Sequence, residues 1–167
     1  MLTLMLFRHA KASWDEPALP DEKRPLTARG RAAAADMGMV LAVRGLVPDL
    51  VLCSPARRTQ QTLELALPHW TPKPEIQTTP VLYGAAEDTY VEAIQSLGAG
   101  PRLMLVGHNP TIEETARLLT GQGTEDAIAK LRRGFKPGAI AVIGFDAADW
   151  RSVAPKSGTL ADFLTPG

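Results

Sequence analysis

The chain of 167 residues contains 45% hydrophobic and 22% charged residues, a composition typical of a globular protein. Its length corresponds to one domain, so we expect a single core over residues 1–167. Eighteen basic residues balance eighteen acidic residues, which gives no electrostatic reason to expect binding to nucleic acid or to an anionic membrane. The single cysteine, Cys53, excludes an internal disulfide and a zinc cluster built on cysteines.

The chain begins with a short apolar run, Leu2 to Phe7, that ends at Arg8 and His9. The run is too short for a transmembrane helix and no basic segment precedes it, so we expect no export signal and a cytoplasmic location. Continuous apolar runs of this length are typical of strands covered on both faces. The charged, proline-containing segment 11–24 that follows is predicted to be a loop.

Helices are predicted on either side of a second apolar run. Thr27 is a candidate N-cap for an alanine-rich helix that continues to about Arg44, with Gly45 as its stop. The apolar run 50–53 ends at Ser54, which is a candidate N-cap for the next helix because a proline follows it.

The rest of the chain continues this alternation. The predicted elements are a helix over 87–97, a strand over 103–106, a helix with a capping box at Thr111 and Glu114, and a strand over 139–145. Residues 150–153 could pair beside the last strand, and residues 160–164 are expected to form a short turn of helix. Alternating strands and helices predict a three-layer α/β protein, in which helices flank a mainly parallel central sheet.

Side chains with unusual chemistry follow three of the predicted strands. Arg8 and His9 follow the first strand, Ser54 leads to Arg58 after the second, and the Gly-His-Asn segment 107–109 follows the third. Parallel sheets bind ligands beyond the carboxyl ends of their strands, so we expect these side chains to converge there.

Two guanidinium groups and two imidazoles at one edge of a sheet would form a cationic pocket suited to a phosphoryl group. Arginine fits phosphate oxygens with a planar fork, and a neutral imidazole nitrogen can attack phosphorus and hold it covalently. The same cations stabilise the negative charge of the group in transfer. The residues therefore predict phosphoryl transfer without a metal or another cofactor, because no carboxylate or thiol at metal-binding spacing supports the three histidines.

Individual residues of these motifs also have structural interpretations. The thiol of Cys53 suggests a cysteine-dependent phosphatase, which requires the pattern Cys-X5-Arg. Position 59 is threonine, so we interpret Cys53 as a buried, small apolar residue. His69 lies in a proline-rich connection and is interpreted as structural or exposed.

The motifs resemble those of the histidine phosphatase superfamily, which has the phosphoglycerate mutase-like fold, and are most similar to the small SixA-type phosphohistidine phosphatases. The matching segments, in order along nearly the whole chain, are Arg8-His9-Ala10, residues 24–31, residues 54–62 with Arg58, and residues 107–110. The first segment departs from the family's Arg-His-Gly signature, because Ala10 replaces the glycine.

The resemblance implies a role for each matched residue. His9 would be the nucleophile and would become transiently phosphorylated, and Arg8, Arg58 and His108 would bind and neutralise the phosphoryl group. Water would then hydrolyse the phosphohistidine, and the amide of Asn109 could help to bind the substrate.

One departure from the family concerns the proton donor. Larger members carry an acid after a Leu-X pair in mid-chain, where this sequence reads Leu82-Tyr83-Gly84, so Glu87 and Asp88 are the candidate replacements. An imidazole leaving from phosphohistidine needs less protonation than an alkoxide, which favours a phosphoramidate or an activated phosphate over an ordinary alkyl phosphate. The chain also lacks the large insertions that cover the pocket in the mutases, so an open pocket could admit a phosphohistidine-containing protein. Two alternatives stay open: a phosphatase of a small phosphorylated metabolite, and a non-catalytic module that binds phosphate.

Overall fold

Strands and helices alternate along the computed structural model, which describes residues 1–84 and 86–167 and, for Glu87, the backbone alone. The strands are β1 (Leu2–Arg8), β2 (Leu50–Cys53), β3 (Glu75–Thr78), β4 (Arg102–Gly107), β5 (Thr120–Gly123), β6 (Ile140–Phe145) and β7 (Gly158–Leu164). The helices are α1 (Ala28–Val43), α2 (Arg57–Ala66), α3 (Glu87–Leu97), α4 (Thr111–Leu119) and α5 (Glu125–Arg132).

The strands form one sheet in the order β3-β2-β4-β1-β6-β7-β5. Strand β6 runs antiparallel to both of its neighbours, and every other adjacent pair is parallel. The prediction of an α/β protein with a mainly parallel sheet is therefore confirmed.

The two faces of the sheet bury alternate residues of β1. Leu4 and Leu6 belong to a core cluster shared with α3, α4 and α5, whereas Met5 and Phe7 belong to a cluster shared with α1 and α2. All four side chains are fully buried, and each such burial contributes roughly 1.5–3 kcal/mol. Cover on both faces explains why this strand is a continuous apolar run.

Two predictions for the C-terminal part are wrong. Residues 150–153 do not pair beside β6; residues Trp150–Ser152 form a short 3-10 helix, and the Trp150 indole donates a hydrogen bond to the carbonyl of Gly100 at 2.8 Å. Residues 160–164, predicted as a helical turn, belong to β7.

The starts of two helices also differ from the sequence prediction. Helix α2 has Ala56 in the N-cap position instead of Ser54, because the Ser54 hydroxyl bonds elsewhere. Helix α4 has Pro110 in the N-cap position and Thr111 in its first turn, one residue earlier than the predicted capping box. No helix in the described ranges is long and apolar enough to cross a membrane.

Candidate active site

The carboxyl ends of β1, β4 and β2 lie side by side in the sheet. Beyond β1, the amide of His9 donates to the carbonyl of Gly107 at 3.1 Å. Beyond β2, the amide of Ser54 donates to the carbonyl of Val106, also at 3.1 Å. The residues that follow the three strands are thus held at one level, as expected from a parallel arrangement.

The side chains predicted from the sequence line one pocket of about 370 Å³ at this edge. They are Arg8, His9, Arg58, His108 and Asn109. His9, Arg58 and His108 are only 9%, 7% and 8% exposed, and the two imidazole centroids lie 5.4 Å apart. These predicted side chains therefore bring two guanidinium groups together with two largely buried imidazoles, and Arg24 adds a third guanidinium to the lining.

One nitrogen of the His9 ring has no hydrogen-bond partner among the described residues. Its Nδ1 lies 2.6 Å from the carbonyl oxygen of Ala10. A carbonyl only accepts hydrogen bonds, so Nδ1 carries the ring proton and Nε2 has an unshared electron pair. Burial lowers the pKa of His9 to about 3, and the nearby charges of Arg58 and Arg8 act in the same direction. The imidazole is neutral at physiological pH, which is the form that a nucleophile requires.

His108 is also neutral and also carries its ring proton on Nδ1. Its Nε2 is 2.7 Å from the Ser54 hydroxyl, which also accepts a hydrogen bond from the amide of Ala56 at 3.4 Å. We assign the hydroxyl proton to the bond with Nε2, which leaves the ring proton of His108 on Nδ1. Burial lowers the pKa of His108 to about 4, with a further contribution from Arg58.

Arg8 is fixed by the loop that precedes β6. Its Nη1 donates to the carbonyl of Phe135 at 2.7 Å. Burial lowers the pKa of Arg8, and the charge of Glu113 opposes this shift. The amide nitrogen of Asn109 donates to the same carbonyl at 3.2 Å. Its second hydrogen is directed at Oε1 of Glu113 at 3.5 Å, so Oδ1 is the polar atom of the amide without a partner among the described residues. A substrate-binding role for Asn109 stays a prediction.

Buried polar atoms without a hydrogen-bond partner are concentrated in this pocket. Within the described part of the chain, they include Nε of Arg8, Nδ1 of His108 and Oδ1 of Asn109. An unpaired buried polar group costs about 1–3 kcal/mol. Two of these three atoms are donors, so the arrangement suits an anion with oxygen acceptors.

A carboxylate that sequence reasoning missed holds Arg58 in place. Asp21 accepts from Nη2 of Arg58 at 3.0 Å through Oδ2, and its backbone carbonyl accepts from Nη1 at 2.8 Å. The hydroxyl of Tyr83 donates to the same Oδ2 at 2.6 Å. These contacts, led by that of Tyr83, lower the pKa of Asp21 to about 2 despite an opposing effect of burial. Asp21 is thus an ionised anchor that orients the guanidinium.

The rim of the pocket contains an exposed aromatic side chain. The guanidinium carbon of Arg24 lies 3.2 Å from the centroid of the Trp14 ring, an arrangement that cation–π attraction stabilises. Arg24 is buried and bonds Asp21 at 3.2 Å, whereas Trp14 is 74% exposed. The segment predicted as a charged loop therefore forms an ordered wall of the pocket.

Of the two candidate proton donors, Glu87 and Asp88, the structure describes the side chain of Asp88. Asp88 is exposed, and its Oδ1 accepts a hydrogen bond from the amide of Thr89 at 2.9 Å. The side chain of Glu87 lies outside the described residues. The described lining of the pocket contains neither Asp nor Glu. A proton-donor role for Glu87 or Asp88 stays a prediction.

Cys53 precedes the pocket residue motif at Ser54, but its side chain does not line the pocket. The residue is fully buried at the end of β2, and burial raises the pKa of its thiol to about 12. A protonated, inaccessible thiol is a poor nucleophile, which agrees with its interpretation as a small apolar residue.

A family model of the histidine phosphatase superfamily, branch 1, matches residues 4–83. An uncharacterized protein of Mycobacterium tuberculosis is 35% identical over 162 residues, which cover 95% of this chain and 99% of that protein. Together with the phosphoglycerate mutase-like sheet and the arginine–histidine pocket at its edge, these matches identify the superfamily of this protein. The chain belongs to the histidine phosphatase superfamily.

Within that superfamily, the chain is similar to SixA proteins. A crystal structure from Agrobacterium tumefaciens, provisionally described as the phosphohistidine phosphatase SixA, is 33% identical with a TM-score of 0.83 and covers 99% of this chain and 98% of that chain. A structure from Nakamurella multipartitia with the same provisional description is 31% identical with a TM-score of 0.84, covering 99% and 96%. The protein histidine phosphatase SixA complexed with tungstate shares the fold, at 23% identity and a TM-score of 0.75 over 99% of this chain and 97% of that chain.

Proposed function

We propose that this protein is a phosphatase that removes the phosphoryl group from phosphohistidine in a partner protein, through a phosphorylated His9. One observation carries the proposal. Nδ1 of His9 contacts a carbonyl and so carries the ring proton, which leaves Nε2 unprotonated; among the described residues Nε2 has no hydrogen-bond partner, and the pocket around it is lined by guanidinium groups. The similarity to SixA proteins supports the same substrate class.

In the first step, Nε2 of His9 attacks the phosphorus atom of the substrate. The P–N bond to the substrate imidazole breaks, and its electron pair passes to the leaving nitrogen, which takes up a proton from solvent. Arg8, Arg58 and the Nδ1–H group of His108 bind the phosphoryl oxygens and stabilise their negative charge.

In the second step, water attacks the phosphorus atom of phosphorylated His9. The P–N bond to Nε2 breaks, its electron pair returns to the ring, and inorganic phosphate leaves with the hydroxyl group of the water. The proton released by the water passes to phosphate or to solvent. The buried Oδ1 of Asn109 has no protein donor within the described residues, so it can accept a hydrogen bond from this water.

The leaving group decides between the candidate substrates. An alkoxide requires a proton in the transition state, so efficient cleavage of an alkyl phosphate needs a strong acid in the pocket. The described lining offers guanidinium, ammonium and imidazole groups but no carboxylic acid. Imidazole is a better leaving group, which favours a phosphoramidate substrate over a sugar or glycerate phosphate.

The experiment uses a peptide that carries radiolabelled phosphohistidine. Wild-type protein is expected to release phosphate and, after quenching in base, to contain an acid-labile label. His9→Ala is expected to lose the label and to lower turnover by about a thousandfold or more. His69→Ala, which changes the one histidine outside the pocket, is the matched control and retains both activities.

Three results would contradict the proposal. A label that persists in His9→Ala would exclude His9 as the nucleophile. Rapid turnover of sugar or glycerate phosphates with none of phosphohistidine would assign a small metabolite as the substrate. Binding of phosphate analogues without hydrolysis of phosphohistidine or p-nitrophenyl phosphate would identify a binding module.

A further inference from the structure

A groove of about 450 Å³ adjoins the catalytic pocket. Lys11 and Pro137 line both cavities. The first two turns of α1 form another wall, and the tail after β7, residues 165–167, closes the groove. The three basic side chains that line it are Lys11, Arg29 and Lys136. We refer to this cavity as the basic groove.

The cations of the basic groove are not neutralised by the protein. Lys11, Arg29 and Lys136 are exposed, and none of these side chains forms a hydrogen bond or an ion pair within the residues that the structure describes. In the catalytic pocket, by contrast, Arg24 and Arg58 are paired with Asp21. The acidic side chain among the described residues that line the groove is that of Asp36, so the side-chain charge of the groove is positive in a chain without formal net charge.

The groove is preorganised because α1 is locked against the loop that follows β1. The carbonyl of Lys11 accepts hydrogen bonds from the amide of Thr27 at 2.9 Å and from its hydroxyl at 3.3 Å. A Cβ atom on Gly30 would lie 2.2 Å from that same carbonyl oxygen, so only glycine permits this contact. The backbones that bear Lys11 and Arg29 therefore hold a fixed relation, so a ligand has to order only the exposed side chains.

We propose that the basic groove binds an acidic polypeptide segment next to the phosphohistidine of the substrate protein. This inference rests on the proposed function, because the phosphoryl group of the same chain must lie in the adjoining pocket. A phosphoryl group alone does not extend into the groove, whereas a polypeptide continues away from the reacting atom. Carboxylate side chains complement the unpaired cations, and Ala32 and Ala33 provide an apolar surface for the intervening chain.

The experiment compares two phosphohistidine peptides of the same length, one with Asp and Glu beside the phosphohistidine and one with Asn and Gln. For wild-type protein we expect kcat/KM to be about tenfold higher for the acidic peptide, since partly exposed ion pairs have modest individual strengths. The preference is expected to disappear in about 0.5 M salt, because salt screens exposed charges. It is also expected to disappear in the double variant Arg29→Glu/Lys136→Glu.

The small substrate p-nitrophenyl phosphate reports on the catalytic pocket alone. Neither Arg29 nor Lys136 lines that pocket, so the double variant is expected to hydrolyse this ester with the wild-type kcat. The loss of nearby positive charge acts on KM for this anionic ester, and that effect is expected to disappear in about 0.5 M salt. Arg102→Glu/Arg151→Glu makes the same change of charge at the opposite edge of the sheet, where β4 begins. This control is expected to retain the full preference for the acidic peptide.

The outcomes separate this inference from the proposed function. Equal kcat/KM for the two peptides in wild-type protein would overturn the docking of an acidic segment while leaving phosphohistidine hydrolysis intact. Turnover of neither peptide, with normal hydrolysis of p-nitrophenyl phosphate, would overturn both. A preference for small bisphosphates over both peptides would assign the basic groove to a second phosphate of a metabolite and would also overturn the inference.

Discussion

The two buried imidazoles make the free energy of unfolding depend on pH. Burial lowers the pKa of His9 to about 3 and that of His108 to about 4, from the ordinary value of 6.5 in the unfolded chain. At a pH between the folded and the unfolded pKa of each histidine, the unfolded state binds more protons than the folded state. The stabilisation that the neutral imidazoles provide is therefore fully present above about pH 6.5 and is lost as the pH falls, down to about 4 for His108 and about 3 for His9.

The size of the effect follows from the same pKa values. Each pH unit within the window costs about 1.4 kcal/mol per histidine, so acidification from pH 8 to pH 5 removes about 2 kcal/mol for each ring and about 4 kcal/mol for both. This is a large share of the roughly 5–15 kcal/mol that stabilises a typical domain. Asp21 acts in a separate window, because its pKa is lowered to about 2 and its stabilisation is lost only below about pH 4.

Urea denaturation at pH 8 and at pH 5 tests this reasoning. Wild-type protein is expected to lose about 4 kcal/mol between the two pH values, and His108→Gln about 2 kcal/mol, because glutamine does not titrate. His69→Gln is the control, and its free energy of unfolding is expected to fall between the two pH values by as much as that of wild-type protein. Each variant is compared with itself at the other pH, so the packing cost of the substitution cancels. An unchanged pH dependence in His108→Gln would refute the argument.

Two further predictions concern Asp21 and Cys53. Asp21→Asn weakens the charge-assisted contacts to Arg58 and is expected to raise KM for p-nitrophenyl phosphate by about tenfold. Tyr83→Phe leaves that ion pair in place, so it should have a smaller effect, and the reverse order in steady-state kinetics would contradict an anchoring role for Asp21. A thiol reagent is expected to label Cys53 only after denaturation and to leave the native activity unchanged, because the thiol is fully buried. Inactivation of the native protein would indicate that the thiol is accessible.

The convergence of the arginine and histidine side chains at the sheet edge could be predicted because the sequence patterns that indicate it are local. Each short apolar run ends at a residue with distinctive chemistry, and parallel strands place such ends together. Asp21 could not be found in this way. It lies in a loop with several other charges, and its contact with Arg58, 37 positions further along the chain, exists only in the tertiary structure. Ser54 was identified, but its hydroxyl bonds His108 instead of capping α2.

The C-terminal part was predicted less well because its strands depend on their neighbours. In β7 the pairing with β6 shifts between Val142 and Ile143, which interrupts the alternation of buried and exposed residues. The residues of β5, Thr-Gly-Gln-Gly, have little intrinsic preference for a strand. The chain approaches so closely here that a Cβ atom on Gly121 would lie 2.0 Å from the carbonyl oxygen of Lys156. Tertiary pairing, not local propensity, forms this edge.

The charges of the site divide into two groups with different consequences. In the pocket, both imidazoles are neutral and the guanidinium of Arg58 is balanced by Asp21, so these groups orient a phosphoryl group over short distances. The cations of the basic groove have no ion pair within the described residues, so their field extends to an approaching ligand. A phosphorylated side chain without acidic neighbours contacts only the groups of the pocket. A phosphorylated side chain with acidic neighbours satisfies both groups, which is why the flanking sequence should govern kcat/KM when the chemistry in the pocket is unchanged.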